Sequence, residues 1–133
     1  MLSQAIVWTL ILSELKQFFS KTVEELREEL LSLKGIGPET ADSIILYAAE
    51  KPIFVIDAYT KRIMERLGFV FKGYDDLQEL FMKELDKDHQ LFNEFHALLV
   101  EHAKKFCTTN PVCSGCYLHN FCTHNLQIKN RIR

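Results

Sequence analysis

Leu33-Lys34-Gly35-Ile36-Gly37-Pro38-Glu39-Thr40-Ala41 is the stretch that decides the fold. Two glycines flank one apolar residue, and a proline follows where its missing N–H costs a helix nothing. On the near side, Thr22-Val23-Glu24-Glu25 is a capping box that starts a helix over residues 23–31. On the far side, Ala41, Ile44, Ile45 and Ala48 recur at helical spacing and predict a third helix with that stripe buried. The N–H groups of the hairpin and of the next helix's first turn then point outward, an arrangement that suits a phosphate oxygen. Binding through backbone amides reads no base sequence. The same pattern, taken alone, also fits an ordinary linker between two helices.

Working outward, the rest of the chain reads as helices joined by short turns. Val7, Trp8, Ile11, Leu15, Phe18 and Phe19 predict an amphipathic helix over residues 3–19, with Trp8 in the core. Residues 52–56 form a connector that reads as extended. Asp57 is an N-cap for a helix over 58–67, with Gly68 as its stop. Asp75 is expected to cap a helix to residue 85, and Asp88 a longer one to about residue 106, with Leu91, Phe92, Phe95, Leu98 and Leu99 facing inward. A tail over 125–133 carries Lys129, Arg131 and Arg133 and is expected to be mobile. No alternating strand pattern, internal repeat or low-complexity segment is found, so the fold class is all-α.

The chain has 133 residues, which favours one domain. Its 47% hydrophobic and 26% charged content is enough for a packed core and signals neither disorder nor a membrane protein. The apolar stretch over 5–12 is too short to span a bilayer and lacks the flanks of a signal peptide. A cytoplasmic, monomeric protein is expected. The net charge of −2 means that any nucleic-acid binding must use a local basic patch. Lys34, Lys61, Arg62 and Arg66 are candidates for it, with Lys104 and Lys105 further on; each would otherwise be part of a solvated helix face.

All four cysteines, Cys107, Cys113, Cys116 and Cys122, fall in one short stretch with spacing C-x5-C-x2-C-x5-C. A thiolate tetrad of this kind is the ligand set of an iron–sulfur cluster or a tetrahedral zinc. Disulfides would need an oxidising compartment, for which the sequence gives no sign. His119 and His124 lie in or beside the loop and could replace a thiolate in a zinc site. His96 and His102 are read as packing residues.

Three motifs in this order resemble one family. The hairpin over 33–41 resembles the helix-hairpin-helix of the endonuclease III superfamily of DNA glycosylases. Val55-Ile56-Asp57-Ala58-Tyr59-Thr60-Lys61-Arg62-Ile63 resembles the segment around that superfamily's functional aspartate. The cysteine loop resembles its carboxy-terminal loop, which holds a [4Fe–4S] cluster. The likeness covers about residues 20 to 122 and includes the long helix with Phe95-His96-Ala97-Leu98. It implies a helical glycosylase domain over 1–106, a cluster loop over 107–124 and a basic tail over 125–133. It implies a nucleoid-associated partner of double-stranded DNA carrying damaged bases, contacted through Lys34, Gly35, Ile36, Gly37, Thr40, Lys61 and Arg62. Asp57 and Glu39 are its implied catalytic residues, with Cys107, Cys113, Cys116 and Cys122 as metal ligands.

The chain departs from the family in three ways. The family's first cysteine gap is usually one residue longer, so zinc stays as the alternative metal. Bifunctional members carry a lysine at the position of Glu39, which attacks the sugar C1′ and forms a Schiff base; a carboxylate cannot. A monofunctional enzyme of the alkylbase-removing branch is therefore expected, where Glu39 would attract a cationic alkylated purine. In the family several further helices precede the hairpin, and a chain truncated there is expected. A non-catalytic DNA-binding fragment and a zinc-stapled interaction domain are the competing readings.

Overall fold

The structure of the protein, a computed structural model, describes residues 3–132 except for the side chains of 128, 129, 131 and 132. The elements are α1 (Gln4–Phe19), α2 (Val23–Ser32), α3 (Pro38–Ser43) continued by a π-helical turn (Ile44–Ala48), α4 (Ala58–Leu67), α5 (Tyr74–Glu84), α6 (His89–Lys105) and α7 (Thr123–Ile132). No strand occurs among the described residues, and no helix among them is long and apolar enough to cross a membrane.

Local chemistry sets most boundaries. Thr22 and Glu25 close the capping box at α2: Glu25 N–H donates to Thr22 Oγ1 (3.2 Å) and Thr22 N–H to Glu25 Oε2 (3.0 Å). Asp57 caps α4, and Gly68 ends it in the left-handed region at φ 104°. Asp88 caps α6 by accepting from the N–H groups of Gln90 and Leu91.

The core centres on residues 51–57, the extended connector. Ile53, Phe54, Val55 and Ile56 are all buried, and Phe54 stacks on Phe81 with ring centroids 4.2 Å apart and meets Phe92 edge-on. A buried extended segment must satisfy its backbone polar groups with side chains. Gln78 Nε2 donates to Phe54 O (2.7 Å), and Ile56 N–H donates to the Tyr74 hydroxyl (3.3 Å). Tyr74 in turn donates to Asp42 Oδ2 (2.7 Å). Asp42, fully buried at the hairpin's second helix, also accepts from Arg27 Nε (2.9 Å) and Gln78 Nε2 (2.8 Å). Burial and the Asp42 charge push the Tyr74 hydroxyl far up in pKa, so it stays a donor. This polar network locks α2, α3 and α5 around the connector.

Several expectations are corrected. Trp8 is 59% exposed, and α1 buries none of its residues; only Phe18 and Phe19, at its end, pack on the core. Periodicity marks a face that wants a partner, and nothing in the described chain covers most of this one. Ala48 is exposed while Leu46 is buried, because the π-helical turn shifts the stripe begun by Ala41 and Ile45. Leu98 is 64% exposed and faces away from the core. Asp75 is no cap: α5 begins after Gly73, and Asp75 accepts instead from Arg27 Nη2 (3.2 Å). The segment read as a tail is helical as α7 up to Ile132; Arg133 and the side chains of Lys129 and Arg131 lie outside the described residues.

Candidate active site and cysteine loop

The hairpin presents its backbone. Gly35 has φ 88°, a conformation that favours glycine, and a Cβ placed on Gly35 or Gly37 would meet nothing within 4 Å. Ile36 turns inward and packs on the core, anchoring the loop. Lys34, Glu39 and Thr40 are exposed around it. Ala41 N–H is bonded to Gly37 O (2.9 Å), so the N–H groups of Glu39 and Thr40 lie in the part of the turn that a helix leaves open.

Asp57 stands at the start of α4 and is 9% exposed. Its Oδ1 accepts from Thr60 N–H (2.7 Å), and its Oδ2 lies 2.9 Å from His96 Nε2. Burial alone would raise the carboxyl's pKa; the hydrogen bonds from His96 and Thr60 outweigh that and hold it below the usual range. Asp57 is thus both a cap and an ionised carboxylate. On the other side of His96, the Tyr47 hydroxyl is 2.6 Å from Nδ1. Burial, and then the charge of Asp57, push the pKa of that hydroxyl up. His96 was expected only to pack. Its partner lies 39 residues away, so no local pattern announces the pair.

The four cysteines are free and line one small cavity together with Arg66 and His119. Cys107 Sγ accepts from Arg66 Nη1 (3.3 Å), and Cys116 Sγ accepts from Leu118 N–H (3.4 Å) and lies 3.3 Å from His102 Nε2. Burial, then the charge of the neighbouring cysteines, push the Cys113 thiol up. The loop does not converge to a point: among the described residues, no three His, Cys, Asp or Glu side chains are placed to share one metal ion.

Both arginines of α4 hold this loop. Arg62 Nε donates to Cys107 O (2.8 Å), and Arg66 donates to Thr108 O (2.6 Å) and Thr109 O (3.2 Å). Arg62, expected at the DNA, thus bonds the loop through its Nε, with its guanidinium 5.4 Å from the Tyr59 ring centre. Lys104 approaches the same ring at 5.8 Å. Lys61 is half-buried beside Tyr74. Where α4 ends, Thr123 Oγ1 donates to Leu67 O (3.0 Å), and a Cβ on Gly68 would lie 2.5 Å from Thr123 Oγ1.

These features define a helix-hairpin-helix protein, and the helix-hairpin-helix motif matches residues 19–47. Over 99 residues the chain is 52% identical to a Methanocaldococcus jannaschii protein provisionally named a DNA repair glycosylase, covering 73% of this chain and 45% of that one. It is 33% identical over 111 residues to endonuclease III of Sulfolobus acidocaldarius, covering 80% of this chain and 49% of the relative. The chain spans about half the length of these relatives. Endonuclease III in a non-covalent complex with DNA has the same fold, with a TM-score of 0.70 at 18% identity over 87% of this chain and 71% of that one. The chain is thus similar, over about half of their length, to proteins of the endonuclease III superfamily, and it shares the fold of endonuclease III.

Proposed function

We propose that the chain carries the catalytic centre of a monofunctional DNA N-glycosylase of the endonuclease III type, releasing damaged purines, alkylated ones among them, from double-stranded DNA. The observation that carries this reading is Asp57, ionised, nearly buried and held through both oxygens. A base in a duplex must leave the stack before its glycosidic bond can be reached. Cleavage builds positive charge on the sugar, and a carboxylate fixed in place stabilises that charge and orients the attacking water. The amides around Gly35 and Gly37, with Lys34, Thr40 and Lys61, hold the DNA backbone. Glu39 offers an exposed negative charge to a cationic base and no amine for a Schiff base.

Residues 1–106 form the helical body in this reading, and 107–124 the metal loop. Cys107, Cys113, Cys116 and Cys122 hold a [4Fe–4S] cluster, with zinc as the alternative. Their Sγ atoms ring a cavity, and hydrogen-bond donors from Arg66 and Leu118 suit thiolates. When bound, the cluster ties the loop to one rigid core.

The test is single-turnover release of a methylated purine from a duplex. Asp57→Asn should slow it by about a hundredfold or more; unchanged release removes Asp57 from the mechanism. Wild-type protein should leave no borohydride-trapped complex with DNA, whereas Glu39→Lys should form one if position 39 faces C1′. A second reading, DNA binding without base release, is favoured by the uncovered apolar residues of α1, Trp8 and Leu12 among them. Salt-dependent duplex binding with no release would support it.

A further inference from the structure

Tyr47 sits in the π-helical turn, where Ala49 N–H bonds back across five residues to Ile44 O (3.1 Å). Such turns frequently occur at functional sites, and the extra residue re-aims the side chains that follow it. Here the turn leaves Tyr47 44% exposed while its hydroxyl reaches His96 Nδ1. His96 comes from the middle of α6, and Asp57 from the start of α4. Three side chains from three separate elements form one line ending at the carboxylate.

With a neutral imidazole, the chemistry permits one assignment of hydrogens along that line. A neutral imidazole has one N–H and one acceptor nitrogen. An ionised carboxylate only accepts, so His96 Nε2 carries the hydrogen. Nδ1 must then accept, and the Tyr47 O–H is the donor beside it. The order is Tyr47 O–H to Nδ1, then Nε2–H to Asp57 Oδ2. The other oxygen, Oδ1, is already held by Thr60 N–H. With a donor on each oxygen the carboxylate plane is fixed, and its remaining lone pairs are left for water and sugar. In the opposite tautomer, the lone pair of Nε2 would face a negative oxygen, and one group would have to turn away.

We propose that Tyr47 and His96 are positioning residues for Asp57: the tyrosine hydroxyl, donating to Nδ1, reinforces the Nε2–H tautomer that Asp57 favours, and the imidazole fixes how the carboxylate faces the extruded nucleotide. The functional half of this statement rests on Asp57 being the catalytic carboxylate. Neither residue need touch the substrate. Tyr47→Phe keeps the ring and removes only the donor. His96→Gln keeps an N–H for Asp57 with no tautomer to select.

Nitrogen-15 NMR of the His96 ring in the 133-residue chain reads the tautomer directly. Wild type should show Nε2–H, and Tyr47→Phe a mixture. An Nδ1–H ring in wild type, or no change on Tyr47→Phe, overturns the proposal. In the base-release assay on a methylated-purine duplex, Tyr47→Phe should lower kcat about tenfold and leave KM unchanged, as a small misplacement of a reacting group does. In a His96→Gln background, the same change should cost less than about twofold, because the coupling is gone. Equal losses in both backgrounds would make Tyr47 merely structural and sink the idea. If Asp57→Asn releases base as wild type does, the catalytic reading fails on its own, while the ring spectra still decide whether tyrosine reinforces the tautomer.

Discussion

The helical body and the cysteine loop are held together by different means. The body is closed by apolar burial around Phe54 and by the charge network on Asp42, both complete within the chain. Residues 107–122 include no buried residue, and the loop is fastened by arginine hydrogen bonds and by Thr123 at the end of α4. Apolar burial is the main force that folds the first region. The second is the loop proposed to hold the cluster, and small metal loops generally fold together with their ligand.

Stripping the metal from anaerobically purified protein breaks this comparison most severely. Amide hydrogen exchange should show residues 107–122 losing nearly all protection, with α2, α4 and α5 unchanged. Equal loss across both regions would mean that the body also depends on the loop. Next in size is Asp42→Ala, which leaves Arg27, Tyr74 and Gln78 without their shared acceptor. It should cost about 3 kcal/mol in urea unfolding, a loss centred on the body. Arg66→Ala removes donors from Thr108, Thr109 and Cys107 and should cost about 2 kcal/mol of loop docking. That change should be read as faster exchange in the loop with little shift of the body's unfolding midpoint.

The smallest effect is one of pH. Asp57 has a lower pKa folded than unfolded, so the stability it contributes is fully present above the unfolded value of about 3.9. It is lost as pH falls through the depressed folded value. Urea midpoints measured from neutral to strongly acid pH should fall more steeply for wild type than for Asp57→Asn. Parallel curves would show that the hydrogen bonds from His96 and Thr60 do not favour the charged form.

Much of this was legible because its causes are local. The capping box at Thr22, the caps at Asp57 and Asp88 and the stop at Gly68 all act within one helical turn, and each lies where the sequence places it. The hairpin followed from two glycines and a proline. Failures came where tertiary context decides. Trp8 belongs to an apolar stripe that finds no cover, and Asp75 lost its role as cap to the pull of Arg27, far back in the chain. The pairing of His96 with Asp57, and the hydrogen bond from Arg62 to Cys107, join residues 39 and 45 positions apart, beyond the reach of any local pattern. Asp42 offered one missed signal: an acid placed directly after the buried Ala41, on a helix face otherwise apolar, asks for a buried partner.

The π-helical turn has a consequence for how the chain tolerates changes in length. Removing any one residue from Ile44–Ala48 would let the helix wind regularly, with better hydrogen bonds than it has now. Everything downstream would then rotate by about 100° and shift by about 1.5 Å. Tyr47 would leave His96, and Phe54 would be drawn off Phe81. A deletion that improves the helix would therefore dismantle what lies beyond it. Extending this segment by a residue in compensation should restore the site, provided that Tyr47 keeps its place.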